Sequence, residues 1–177
     1  MKKHVFLTGY MGSGKTTTAQ ALADILGAKL IDLDLEIERI NTSKIAGIFD
    51  SNGESFFRKL ESKALVSVIE SHDPCVIALG GGTIISHDNL SFIKKIGLLI
   101  YLDTSINEIV SRLKNKIDNR PIIKKFTNDT DLYEFIETHI NSRKDNYSKA
   151  HYSINNTLLS TKETSLKIID YLKIYNN

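Results

Sequence analysis

Gly9-Tyr10-Met11-Gly12-Ser13-Gly14-Lys15-Thr16 has the spacing G-x-x-x-x-G-K-[ST], and those residue types in that order can cradle a chain of phosphates. Glycines let the backbone curl so that successive N–H groups converge on phosphate oxygens. A helix N-terminus adds the positive end of its dipole. The lysine adds a full charge, and the threonine hydroxyl can ligate Mg²⁺. The context fits, because the apolar run Val5-Phe6-Leu7 reads as a buried strand before the loop and Thr17 to Leu26 reads as a helix after it. The chain is thus read as binding a nucleoside triphosphate; the plain alternative is a glycine-rich turn beside a surface lysine.

Four other groupings could do chemistry beside such a loop. Asp32 and Asp34 stand two apart at the end of the apolar run Lys29–Asp32, and extended geometry carried that far would put both on one face. A phosphoryl-transfer site uses one carboxylate for Mg²⁺ or its water shell and gains from a second that orients or deprotonates an attacking hydroxyl. Asp34 could equally serve as the N-cap of a helix through Leu35-Glu36-Ile37-Glu38. Arg58 and Glu61 lie three apart, on one helical face, where a carboxylate can orient the guanidinium fork toward a planar anion. On spacing alone an ordinary surface ion pair is the plainer reading. Gly80-Gly81-Gly82, after the apolar run Cys75–Leu79, would offer backbone N–H groups with no side chains in the way, or form a loose turn. Arg120-Pro121 in a polar segment and Arg143 near the end of a later helix are further candidate anion ligands.

The elements that must position these groups alternate. Strands are expected at His4–Thr8, Lys29–Asp32, Cys75–Leu79, Leu98–Leu102 and Tyr152–Asn155. Helices are expected at Lys15–Leu26, Asp34–Ile40, Ser55–Glu70, Asn89–Lys94, Ile106–Leu113, Asp131–Asn146 and Thr164–Tyr175. Strands spaced by helices imply βαβ units and a parallel sheet covered on both faces, whose ligands collect at the carboxyl ends of the strands. The phosphate loop, the two aspartates and the triple glycine each come directly after one of the first three strands.

Composition sets the frame. The 177 residues suit one domain, with 41% hydrophobic and 25% charged residues. A net charge of +2 with mixed signs gives no basic stripe for nucleic acid. Cys75 is the single cysteine, which excludes an intrachain disulfide and fits a reducing compartment; it reads as a small hydrophobe at a strand edge. The five histidines lack close metal-ligand spacing and read as surface or strand-end residues. The short apolar run after Met1-Lys2-Lys3 is neither a signal peptide nor a membrane span, so a cytoplasmic protein is expected.

Taken as an ordered set, the phosphate loop with its Met11, the D-x-D of Asp32 and Asp34, Gly53-Glu54 with Phe57-Arg58 and Glu61, Gly80–Gly82 and Arg120-Pro121 resemble the shikimate kinase family over most of the chain. The resemblance implies an α/β P-loop kinase domain with a five-stranded parallel sheet in the order 2-3-1-4-5. It also implies a substrate-binding region over about residues 34–61 and a lid over about 114–125. The implied activity is ATP-dependent phosphorylation of shikimate at its 3-hydroxyl, with Mg²⁺. Gly12, Ser13, Gly14, Lys15, Thr16, Thr17, Arg112 and Arg120 would serve ATP, with Thr16 and Asp32 toward the metal. Asp34, Arg58, Gly80, Gly81, Gly82 and Arg143 would serve shikimate, and Lys15, Asp34 and Arg120 the transfer itself. The stretch after Arg143 departs from the family's usual proline: Lys144-Asp145-Asn146 precede Tyr147. The partners implied are small molecules alone, without nucleic acid or membrane, for a monomer.

Two alternatives share part of the pattern. Gluconate kinase-like and nucleoside monophosphate kinase-like proteins have the loop and a lid but not Phe57-Arg58, Glu61 and the triple glycine as one set. A GTP-binding switch would need an N-K-x-D motif. Asn115-Lys116-Ile117-Asp118 matches the letters but lies in a polar segment rather than after a buried strand, so it is read as coincidence.

Overall fold

The computed structural model describes residues 3–114, 126 and 128–175. In chain order the elements are β1 (His4–Thr8), α1 (Lys15–Leu26), β2 (Leu30–Asp32), α2 (Leu33–Asn41), α3 (Ile45–Glu70), β3 (Val76–Ala78), a 3₁₀ turn (Thr83–Ile85), α4 (His87–Ile96), β4 (Gly97–Asp103), α5 (Ile106–Lys114), α6 (Asp129–Asn141), α7 (Lys144–Tyr147), β5 (Tyr152–Asn155) and α8 (Thr161–Tyr175). The strands form one five-stranded sheet in the order β2-β3-β1-β4-β5, and every pairing is parallel. This is the expected topology.

The central strand shows why the sheet must be covered twice. All five residues of β1 are buried, and its neighbours align Phe6 with Ile77 and with Leu99. Those three side chains enter one core with Leu33 and Ile37 of α2, Phe57 and Leu65 of α3, and Ile93 of α4. The alternate residues, Val5, Leu7, Val76, Ala78, Leu98 and Ile100, face the other way onto Leu22 of α1 and Ile168 of α8. A period of two along strands buried on both faces produces the continuous apolar runs. A third cluster joins Ile109 and Leu113 of α5 to Leu132 and Ile136 of α6 and to Tyr10 of the phosphate loop.

The strand ends and the first helix fall close to expectation; two helical regions do not. Helix α3 begins at Ile45, ten residues before the expected Ser55, and is broken inside by Gly53 at φ 79° and ψ 174°. The first part, around Ile48 and Phe49, packs on the same core as Phe57, with the Phe49 and Phe57 rings 4.5 Å apart. Two glycines, Gly47 and Gly53, and the polar stretch Asp50-Ser51-Asn52 hide that part in the sequence. The helix expected over Asp131–Asn146 instead runs from Asp129 to Asn141, capped by the Asn128 side chain. The chain then re-forms a short helix at Lys144, with Arg143 at the junction. Cys75 lies buried just before β3, and its thiol is pushed up to about 11 by burial. His4, expected at a surface or strand end, is a buried strand-end residue whose Nδ1 accepts from the Cys75 N–H at 3.3 Å.

Candidate functional site

The loop between β1 and α1 turns at Gly12 and Gly14, whose φ of 85° and 90° lie in the region that only glycine enters cheaply. A Cβ on Gly12 would stand 3.2 Å from Leu113 of α5, so the loop is pressed against that helix. Lys15 arches back over the loop, its Nζ donating to the carbonyls of Gly9 at 2.9 Å and Tyr10 at 3.0 Å. On the outer side, Arg112 donates from Nη1 to the Gly12 carbonyl at 3.2 Å and from Nε to Glu108 at 2.7 Å. Thr17 folds its hydroxyl onto the Gly14 carbonyl.

The two aspartates divide their work differently from the sequence expectation. The extended backbone stops at Asp32, and it is Asp32, not Asp34, that caps α2. Its Oδ1 accepts from the N–H groups of Asp34 at 3.1 Å and Leu35 at 3.3 Å. A residue still in β geometry at a helix start is the one whose side chain can reach back to those amides. The other oxygen of Asp32 accepts from the Thr16 hydroxyl at 2.8 Å. Asp34 therefore sits in the first helical turn and turns inward. Burial, reinforced by the charges of Asp32 and Glu61 and opposed by Lys15 and Arg58, raises its carboxyl to about 6.

A second group of polar residues, around Asp34, is assembled from α2, α3, the turn after β3 and the α6–α7 junction. Arg58 donates from Nη1 to Glu61 at 2.8 Å, and from Nε and Nη2 to Glu54 at 3.3 and 3.1 Å. Glu61 is 1% exposed, and its second oxygen accepts from Thr83 at 2.6 Å. The pair is thus no ordinary surface bridge. Burial works against the Arg58 charge, and the two glutamates outweigh it.

The triple glycine also has a tighter role than an open turn. A Cβ on Gly80 would lie 2.7 Å from Asp34 Oδ1 and 2.9 Å from Glu61 Oε1, and one on Gly82 would lie 2.6 Å from the Arg58 guanidinium. Side chains do stand in the way here, and the glycines are what lets them in. The Gly81 carbonyl accepts from both Arg143 Nη1 and the Tyr147 hydroxyl at 3.2 Å. The Arg143 guanidinium also lies 5.7 Å from the centre of the Tyr10 ring. Tyr10 is buried, its phenol pushed up to about 12, and its hydroxyl meets His139 Nδ1 at 3.3 Å.

Lys15, Thr16, Asp32, Asp34, Gly81 and Arg112 line one cleft of about 620 Å³, together with a wall of Asn156, Leu159, Ser160, Thr161 and Thr164. That wall, and the support given by Thr83, Tyr10 and Tyr147, were not singled out from the sequence. Arg120, Pro121, the lid beyond Lys114 and the Asn115–Asp118 letters lie outside the described residues. The protein groups suit Mg²⁺: a hydroxyl and a carboxylate of hard oxygen character stand together at the loop, and that ion takes few protein ligands beside substrate phosphates. Among the described residues no cluster of three or more His, Cys, Asp or Glu could hold a metal by itself, and no helix is long and apolar enough to cross a membrane.

The sequence matches the family profile described as Shikimate kinase over residues 11–173. A shikimate kinase of Sulfurihydrogenibium sp. is 36% identical over 95% of this chain and 94% of its own length. The crystal structure of shikimate kinase from Bacteroides thetaiotaomicron superposes with a TM-score of 0.88 at 34% identity, covering 96% of this chain and 97% of that one. The Acinetobacter baumannii shikimate kinase, solved in complex with shikimate, gives 0.87 at 31% identity over 98% and 94%. A profile match over residues 11–173, with relatives about one-third identical over nearly the whole chain, means that the chain is a kinase belonging to the shikimate kinase family.

Proposed function

We propose that this protein transfers the γ-phosphoryl group of ATP to the 3-hydroxyl of shikimate. The observation that carries the reading is the Arg58 fork, held by the buried Glu61 carboxylate near Asp34, which itself lines one cleft with the phosphate loop. A guanidinium already oriented by carboxylates loses little freedom on gripping another, which suits the acceptor's own carboxylate. Arg143, tied to Gly81 and lying against Tyr10, would supply a second cation to that group.

The roles of the remaining residues come from charge and position. The loop amides from Gly12 to Thr17 and the Lys15 charge would hold the β- and γ-phosphates, with Arg112 at the nucleotide's outer edge. Thr16 and Asp32 would hold Mg²⁺, which when bound supplies charge neutralisation at the phosphate oxygens. Asp34, raised to about 6, is ionised at neutral pH yet basic enough to orient the attacking hydroxyl and accept its proton. Gly80–Gly82 would border the acceptor. Arg120 and the rest of a lid over about 114–125 would complete the cation set around the transferring group, with residues 34–61 as the acceptor-binding region. The whole chain is read as one domain, monomeric and cytoplasmic.

The test is release of ADP by purified protein given ATP or GTP, with shikimate, gluconate, a nucleoside monophosphate or no acceptor. ADP formed only when shikimate is present supports the reading. Turnover that ignores shikimate, or that prefers another acceptor, overturns it.

A further inference from the structure

Asn156, immediately after β5, is 3% exposed, and its polar side chain is spent inside the protein. Its Nδ2 donates to the carbonyl of Ser13 in the phosphate loop at 2.9 Å. Its Oδ1 accepts from the Thr104 hydroxyl at 2.7 Å, and Thr104 comes directly after β4. The amide can point only one way: a carbonyl accepts and cannot donate, so the Ser13 oxygen must face the NH₂ side. The Thr104 hydroxyl has one proton, and its contact with the Ser13 carbonyl is the longer one, at 3.4 Å. The threonine therefore fixes the asparagine, and the asparagine fixes the loop.

We infer that Asn156 is a positioning residue for the nucleotide, locking one peptide plane of the phosphate loop and tying it to the start of the Leu159–Thr164 wall of the cleft. In a trans peptide the C=O and the next N–H point in opposite directions. Drawing the Ser13 carbonyl to Asn156 therefore aims the Gly14 N–H the opposite way, and Gly14 is a lining residue of the cleft. The same asparagine starts the turn that leads into that wall. Its backbone N–H donates to the Asp103 carbonyl, and its own carbonyl accepts from the N–H of Leu159, which lines the cleft with Ser160 and Thr161. A nucleotide reaching from the loop to that wall spans both groups that Asn156 joins, whereas its side-chain bonds run to Ser13 and Thr104 and not to the Arg58 and Gly80–Gly82 side. The inference rests on the reading of this cleft as a nucleotide site.

The experiment measures ADP affinity by calorimetry, and KM for ATP and for shikimate, in wild type, Asn156→Ala, Thr104→Val and the double variant, with thermal melts of each. Losing the amide should weaken ADP binding and raise KM for ATP about tenfold, with KM for shikimate within about twofold. Thr104→Val, which keeps the shape and removes only the orienting hydroxyl, should act in the same direction by about threefold. In an Asn156→Ala background it should add almost nothing, because it acts through that side chain. Equal rises in both KM values, additive effects in the double variant, or ADP affinity unchanged in both folded single variants would overturn the inference. If Asn156→Ala fails to fold, the Thr104→Val measurement decides alone. Wild-type protein that binds ADP but does not phosphorylate shikimate would sink the acceptor assignment and leave the ADP comparison as the test of Asn156.

Discussion

On the side proposed to take the acceptor, side chains hold one another: Glu61 accepts from Arg58 and Thr83, and Arg58 donates to Glu54 as well. On the phosphate-loop side the proposed working groups are main-chain amides and the Lys15 charge, while Arg112 and Asn156 hold loop carbonyls. The first arrangement concentrates cost and specificity in a few ionised groups. The second would spread most of the binding over weak, fixed dipoles that any triphosphate can use. A change on the acceptor side should therefore be large and selective, and a change among the loop's supports small and confined to the nucleotide.

Asp34 is where the contrast should be greatest. Its pKa is about 6 in the folded protein, against 3.8 as the ordinary value. Between those values the folded state holds the proton more tightly than the unfolded chain, so stability falls as pH rises through that window. A rise of that size corresponds to about 3 kcal/mol lost at neutral pH. Asp34→Asn should thus raise Tm at pH 8 and give no gain near pH 3, while cutting kcat by about 10³-fold. Lower stability at pH 8 would show that the carboxylate helps hold the fold rather than straining it.

Arg58→Ala comes next, and it tests whether the fork is selective. Removing a charge-assisted contact and leaving Glu61 buried without its cation should cost about 2–5 kcal/mol in shikimate binding. KM for shikimate should rise far more than KM for ATP, and Arg58→Lys should recover only part, because a point charge cannot copy the planar fork. Equal rises in the two KM values would mean that the two sides of the cleft are not separable.

A subtler probe of the same side is Glu61→Gln, which keeps the shape and removes one charge. Glu61 helps raise Asp34, so the acid limb of the kcat/KM profile, which reports the free enzyme, should move to lower pH. Arg58 pulls the other way, so its loss should move that limb upward. A limb that stays put in both variants would assign the titration to another group.

The sequence discloses the two sides unequally. The loop, the D-x-D, Arg58 with Glu61 and the triple glycine are legible because their residue types are rare in combination and each sits after a strand or opens a helix. The parallel sheet is legible because strands buried on both faces leave unbroken apolar runs. The true N-cap is not: two aspartates two apart give the same letters whichever one ends the strand, and the choice depends on where β2 stops pairing with β3. Nor does the burial of Glu61 show, since helical spacing fixes a face but not what covers it. Thr104 and Asn156 stand at the carboxyl ends of β4 and β5, where ligands of such sheets gather. Their letters are common ones that mean nothing until the sheet sets them side by side.

The smallest effect should come from Arg112, at the outer edge of the loop. Its Nη1 reaches the Gly12 carbonyl at 3.2 Å, and its Nε is held by Glu108 one helical turn earlier. Both side chains are about one-third exposed, so water can replace much of what the pair supplies. Gly12 is also pressed against Leu113 and Ile109, which would hold the loop in place without the arginine. Arg112→Ala should therefore raise KM for ATP by about threefold, with kcat and KM for shikimate unchanged within error. Arg112→Lys should recover little, since one ammonium cannot serve both Glu108 and the loop carbonyl in that geometry. If Arg112→Ala instead raised KM for ATP by about a hundredfold, well beyond one hydrogen bond, the loop side would depend on a single charge as heavily as the acceptor side depends on Arg58, and the division of the cleft into concentrated and distributed halves would fail.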